Sequence, residues 1–345
     1  IRTRDNAGNW NGAAAHYGPF KIDTEPPAGP TSVIETHGVS DDTWQATVGD
    51  PAFTWSGASD AGSGVAGYYV YWGTNPAGTS SFWQSTTGYD PPAVPTPSVY
   101  YLRVQTRDEA GHTSGWQTLF TFRYDASAPT NPVLSSTSHV VGAWSNINVV
   151  DVIWSGASDV SGSGVHGYSY VWSSSPSTLP DTTVETTAAG ASSPPLPDSV
   201  GWYFHLRTVD NVGNWNAGAV HLGPFPIETT PPTSVVAALP ANQMAISFLV
   251  SWTGDDPGLA SGVAAYDVQF RVGSGGVWTD WLAGTTATSA TFGPVDPVHL
   301  VDGTTYYFRC RAVDHAGNVE AYPGGDGDAW TTVHFYSTFL PLIVH

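Results

Sequence analysis

Positive charge is what this chain has least of: ten Lys and Arg stand against 29 Asp and Glu, a net charge of −19 over 345 residues. A surface of that sign repels nucleic acid and anionic lipid, and no basic patch with interleaved aromatics offsets it. Nucleic acid is therefore set aside as a partner. Lys21 is the only lysine, so covalent Lys–Asn cross-links cannot form in the repeats beyond it, and packing alone must hold them. Cys310 is the only cysteine, which rules out an intrachain disulfide; on the inward face of its strand it reads as a buried thiol. Long Ala/Leu/Glu/Lys runs with a 3.6-residue period are missing, so no helix is expected. The most apolar run, residues 339–344, is too short to span a bilayer and contains Pro341. Neither an initiator Met nor a signal peptide opens the chain, the pattern of a processed product or a fragment.

What is plentiful is Gly, Pro, Ser, Thr and aromatics, a composition that points to all-β structure. One stretch organises the rest. Residues 306–318 read Tyr-Tyr-Phe-Arg-Cys-Arg-Ala-Val-Asp-His-Ala-Gly-Asn, with Tyr306, Phe308, Cys310 and Ala312 on one face of a strand and Tyr307, Arg309 and Arg311 on the other. The strand runs into a tight hairpin whose Asp can accept hydrogen bonds from amides two residues on and whose Gly supplies a positive φ. Near copies give the pairs Asp5/Gly8, Asp108/Gly111, Asp210/Gly213 and Asp314/Gly317, the Asp recurring after 103, 102 and 104 residues. An early-strand Trp (Trp55, Trp154, Trp252) recurs after 99 and 98. About seven short strands in a period near one hundred is what an immunoglobulin-like sandwich requires, with that Trp packed between its sheets.

In chain order, residues 1–25 read as the last two strands of an incomplete Ig-like domain, with 17–22 as the hairpin partner of 1–5. The missing strands would come from upstream sequence or from another chain, since two strands do not fold alone. Ig-like domains follow at 26–128, 129–230 and 231–337, each with its early Trp, a Gly/Ser/Asp loop (56–65, 155–165, 254–263), an aromatic-rich strand and the organising strand. Short proline-rich linkers at 24–30, 127–132 and 229–233 favour a semi-rigid, extended rod. Three sandwiches end to end would span on the order of 100 Å. Residues 338–345 form an apolar tail strand that should dock somewhere, because leaving Leu, Ile and Phe in water is unfavourable.

The run 302–314, Asp-Gly-Thr-Thr-Tyr-Tyr-Phe-Arg-Cys-Arg-Ala-Val-Asp, with Trp252 before it, resembles the fibronectin type III-like and related bacterial immunoglobulin-like tandem repeats of large secreted cell-surface proteins. The resemblance covers nearly all of the chain. It implies a corner tyrosine at Tyr306 and Tyr100, and the second repeat departs from it by placing Trp202 there. It implies the fold more firmly than the task, since stalks, adhesins, filaments and secreted hydrolases all recruit such repeats.

No catalytic or cofactor-binding constellation emerges: the eleven His are scattered, with no His-Glu-x-x-His and no Gly-x-Ser-x-Gly elbow. Gly62–Ser63–Gly64 and Gly162–Ser163–Gly164 lie in loops without the lysine or helix of a phosphate cradle, and read as turn geometry. Asp60, Asp159, Asp255 and Asp256 occupy matching places after the early Trp. Calcium is the functional reading and capping of the loop's own amides the structural one; with no EF-hand spacing, no metal ligand is assigned. Trp72, Trp83, Trp172, Trp278 and Trp281 could form a sugar-stacking platform, although core packing is the commoner use of aromatics in sandwiches. The expectation is a non-enzymatic structural protein of the bacterial cell exterior: a stalk, surface layer or filament subunit whose copies, or other surface proteins, join head to tail by β-strand addition at its ends. The alternative is an accessory or carbohydrate-binding region of a secreted hydrolase, or an adhesin.

Overall fold

The computed structural model describes residues 1–293 and 299–335, and every regular element among them is a strand. The first sandwich contains β1 (Ser32–Glu35), β2 (Trp44–Gln45), β3 (Phe53–Ser56), β4 (Val65–Gly73), β5 (Trp83–Gln84), β6 (Gly88–Tyr89), β7 (Ser98–Asp108) and β8 (Gln117–Tyr124). Its sheets run β1-β3-β6 and β2-β8-β7-β4-β5. The second has β9 (Val133–Ser136), β10 (Asp151–Ser155), β11 (Val165–Ser173), β12 (Gly190–Ser192), β13 (Ser199–Asp210) and β14 (Val220–Ile227), in sheets β12-β10-β9 and β11-β13-β14. The third has β15 (Thr233–Val236), β16 (Asn242–Gln243), β17 (Phe248–Asp255), β18 (Val263–Val272), β19 (Thr279–Thr285), β20 (Ser289–Phe292), β21 (Thr305–Asp314) and β22 (Ala329–Val333). It repeats the plan of the first: β15-β17-β20 and β16-β22-β21-β18-β19. In the second sandwich the short parallel edge pair is reduced to one bridge, Ser145 to Ile227. This is the strand arrangement of tandem fibronectin type III-like β-sandwiches.

Alternation fixes which face of each strand is buried. Along β21, residues of even number from Tyr306 to Asp314 are buried and the odd ones half-buried. Three separate cores result. Phe53, Trp55, Leu102, Val104 and Phe122 fill the first; Val152, Trp154, Phe204, Leu206 and Phe225 the second; Val250, Trp252, Phe292, Tyr306, Phe308 and Cys310 the third. The early Trp meets a Tyr of the next long strand edge to face in each: Trp55 with Tyr68, Trp154 with Tyr168 and Trp252 with Tyr266, at centroid separations of 5.4, 5.3 and 6.4 Å. Such pairs add to what area burial alone provides. Cys310 is buried and its thiol lies 3.3 Å from Ser234 Oγ; burial pushes that thiol up to about 12.

The corner hydrogen bond differs between sandwiches. Tyr306 OH accepts from Val301 N at 2.9 Å and donates to the His299 carbonyl at 3.3 Å. In the second sandwich the Trp202 indole donates to the Pro197 carbonyl at 2.9 Å, so it also pins a residue five positions upstream. Tyr100 instead stacks on Trp72 with centroids 5.1 Å apart.

One expectation needs correction. Residues 17–22 form no strand; Ile1 and Thr3 pair with the segment after the turn, through Ala15 N to the Ile1 carbonyl and Asn11 N to the Thr3 carbonyl. Tyr17, Phe20 and Ile22 are exposed. The chain also divides into two compact units. One unit comprises 1–130 with 157–166 and 208–216, and the rest of the described residues make the other. The tail assigned to 338–345 lies outside the described residues, as does the end of the block assigned to 231–337.

Candidate functional site

The hairpin after each organising strand is where the site begins. Each is closed by a glycine at positive φ, +95° at Gly8, +99° at Gly111, +96° at Gly213 and +94° at Gly317, a conformation that side chains with a Cβ rarely adopt. The amide two residues on is taken at Asp210, from Val212 N at 3.0 Å, and a longer-range bond is common to every copy. The hairpin Asp Oδ1 accepts from the backbone N–H four residues on, at 2.8 Å for Asp5, Asp108 and Asp314 and 2.7 Å for Asp210. The Asn side chain at that same position donates to Oδ2 in three copies, Asn9, Asn214 and Asn318. His112 occupies the place in the fourth, with Nδ1 3.1 Å from Asp108 Oδ2.

Two further acidic residues repeat around this hairpin. In the loop after the early Trp, Asp60 accepts from Gly64 N, Asp159 from Gly164 N and Asp256 from Gly262 N, at 2.7, 2.7 and 2.6 Å. Those are the capping bonds expected of them. Asp255 takes no part, being exposed on β17 and paired with Thr233. The linker supplies the third acid: Asp23 accepts from Ser63 N, Asp125 from Ser163 N and Glu228 from Ser261 N, at 2.8, 2.7 and 2.7 Å. The sequence reading missed this residue. Its signal was the same hundred-residue period, hidden because one acid in a proline-rich linker has no local pattern.

The outcome is that carboxylates expected only to steady separate loops converge. Asp125, Asp159 and Asp210 bring oxygens within 4.8 Å of one another, as do Glu228, Asp256 and Asp314; in the first repeat the group is Asp23, Asp108 and His112. Asp125 and Asp210 are buried, as are Glu228 and Asp314. A Cβ on Gly162 would stand 2.5 Å from Asp159 Oδ1 and 2.6 Å from Asp125 Oδ2, so only glycine lets the loop close over the pair. Electrostatics follow. Burial, together with the nearby charges of Asp125 and Asp210, raises the Asp159 carboxyl above the ordinary carboxylate range against the pull of the Gly164 amide. For Asp125, burial works in the same direction but is outweighed by the bonds from Ser163 and Ser127, which leave it lowered. The two all-carboxylate sets, of the second and third repeats, suit a hard cation and offer no nucleophile paired with a base.

The aromatic platform is not assembled. Trp72, Trp172 and Trp281 pack into the three cores, against Phe53, Phe204 and Phe292 respectively. Trp278 is clamped between the Arg271 and Arg309 guanidinium groups at 4.8 and 4.3 Å. Trp83 alone of the five is exposed, with Arg107 over its ring. The Arg–aromatic stack continues through Tyr307 and Tyr322 to Arg311, a feature that alternation places on the outer face of β21 but does not reveal as a stack.

No family model matches the chain. In sequence it is 27% identical over 286 residues to exoglucanase B of Cellulomonas fimi, and 28% identical over 284 residues to endoglucanase B of that organism. Those matches take in 79% and 80% of this chain but 23% and 25% of the relatives, so the chain spans about a quarter of the length of the curated relatives it matches. Solved structures it resembles include the FN1-FN3 domains of chicken CNTN1, at 16% identity and a TM-score of 0.28, covering 85% of this chain and 95% of that one. They also include the fibronectin(III)-like modules of Clostridium thermocellum CbhA, at 14% identity and a TM-score of 0.30, covering 59% and 95%. No helix among the described residues is long and apolar enough to cross a membrane.

Proposed function

We propose that this chain is a non-catalytic, extracellular tandem fibronectin type III-like region of a secreted glucan-degrading protein, working as a spacer that holds a catalytic part at a distance from other modules. The observation that carries this is the sequence match: most of the chain aligns with a minor share of two bacterial glucanases. The site chemistry supports it, because the clustered carboxylates accept from backbone amides inside loops and hairpins, the role of a structural clasp and not of an acid presented to a substrate. The packing of the half-buried Trp72, Trp172 and Trp281 against the cores favours a spacer over a sugar-binding face. A stalk or filament subunit, the reading that repetition alone favours, accounts for the same sandwiches but not for the match to two glucanases.

The test is to incubate the purified chain with soluble and insoluble cellulose, measuring reducing sugar and co-sedimentation, and to establish what is encoded in continuity with it. No sugar release, no more than weak sedimentation, and an adjoining glycan-active domain are expected. Hydrolysis by the chain alone, or flanking sequence with no such domain, overturns the reading.

A further inference from the structure

In the third repeat the acidic cluster contains something that capping leaves unexplained. Glu228 and Asp314 are 1% and 3% exposed, and with Asp256 they place carboxylate oxygens within 4.8 Å of one another. No Lys, Arg or His pairs with any of the three among the described residues. One oxygen of each loop and linker acid is accounted for, Glu228 Oε2 by Ser261 N and Asp256 Oδ2 by Gly262 N. The other two, Glu228 Oε1 and Asp256 Oδ1, are buried without any hydrogen-bond partner. Buried charges are tolerated when they are paired or coordinate a metal, and an unsatisfied polar atom in a native structure calls for a cause.

We propose that Glu228, Asp256 and Asp314 bind a calcium ion. The ligands are all oxygen, which selects a hard cation, and they come from a linker, a loop and a hairpin. Carboxylates on such separate segments suit the variable, high-coordination geometry of calcium better than the strict octahedron of magnesium. Glu228 Oε1 and Asp256 Oδ1 are the ligands the hydrogen bonding leaves free, and water completes the shell. The ion neutralises like charges that otherwise face one another, and ties the linker to the hairpin that already holds it through Asn318 Nδ2 and the Glu228 carbonyl, 2.9 Å apart. Asp125, Asp159 and Asp210 repeat the arrangement in the second repeat, so the chain can take up more than one equivalent.

The test is calorimetric titration of the EDTA-treated full chain with calcium chloride and, separately, magnesium chloride, alongside Asp256→Asn. The amide oxygen introduced by that substitution can still accept from Gly262 N, and tryptophan fluorescence checks that the variant is folded. Expected are calcium binding with Kd of about 10⁻³ M or tighter, the range of extracellular modules, a higher melting temperature in calcium than in EDTA, and one binding equivalent fewer in the variant. No calcium uptake by the wild type, or unchanged stoichiometry in folded Asp256→Asn, overturns the site. Magnesium binding as tight as calcium overturns the choice of ion.

Discussion

At the scale of single residues, His205 is the most sharply constrained ionisable group. It is fully buried on β13, with Nδ1 2.7 Å from His221 Nδ1 and Nε2 2.9 Å from Ser173 Oγ. Burial, with the nearby His221 charge adding to it, lowers the imidazole from 6.5 to about 4. The unfolded chain therefore binds a proton at this residue, between those two values, that the folded chain refuses. Stability contributed by the neutral form is full above pH 6.5 and is lost as pH falls toward 4. The melting temperature should drop through this window, and the drop between pH 6.5 and 5, above most carboxylate titration, should be shallower in His205→Gln. An equal slope in the variant would assign the effect elsewhere. None of this was legible beforehand: His205 sits on the organising strand at a position where the other copies carry Arg103 and Arg309, and its meeting with His221 depends on pairing across β13 and β14. Cys310 was legible, since strand alternation alone places it inward.

At the scale of the element, the corner preceding each organising strand shows what a local substitution does. Tyr306→Phe removes a part-buried hydroxyl bonded on both sides, to Val301 N and to the His299 carbonyl, and should lower stability by about 1–3 kcal/mol, two hydrogen bonds at about 0.5–1.5 kcal/mol each. Trp202→Phe removes only a donor to a more exposed carbonyl and should cost about 0.5–1.5 kcal/mol. Denaturant midpoints compare the two, and a larger loss at Trp202 would refute the ordering. Long strands were read correctly because eight to twelve residues carry enough alternation to show a face, as the inward residues of β21 do. The two-residue edge strands β2, β5, β6 and β16 were not, because two residues have no period. They are defined by their partners: β2 lies parallel to β8 through Trp44 and Arg123, and Arg123 then reaches Asp42 at 2.7 Å. The candidate site was half legible. Its loop acids recur visibly, and their amide bonds were anticipated, but their convergence with the linker acid is a tertiary fact.

At the scale of the whole chain, 29 acidic groups against ten basic ones leave few opposite charges to pair. Arg123–Asp42, Arg271–Asp326 and Arg311–Asp267 are among the Arg–carboxylate pairs the chain does make. Self-repulsion should then outweigh ion pairing. Raising sodium chloride from about 0.01 to 0.15 M shortens the screening length from about 30 to about 8 Å, and in EDTA the melting temperature should rise by a few degrees; a fall would mean that attractive pairs dominate. Three hydrophobic cores were legible from the recurring Trp and Tyr. The two compact units were not, because their boundary depends on where linker groups find partners.

That boundary bears on how such a protein can be cut and recombined. Asn214 donates to the Asp125 and Ser127 carbonyls, and Asn216 to that of Pro129, so the final turn of the second repeat grips the strap that precedes it. A transplant beginning after residue 130 loses those three bonds, whereas one beginning at Asp125 carries its own latch. The natural exchangeable cassette is offset from the sandwich, starting at an acid and ending just before the next.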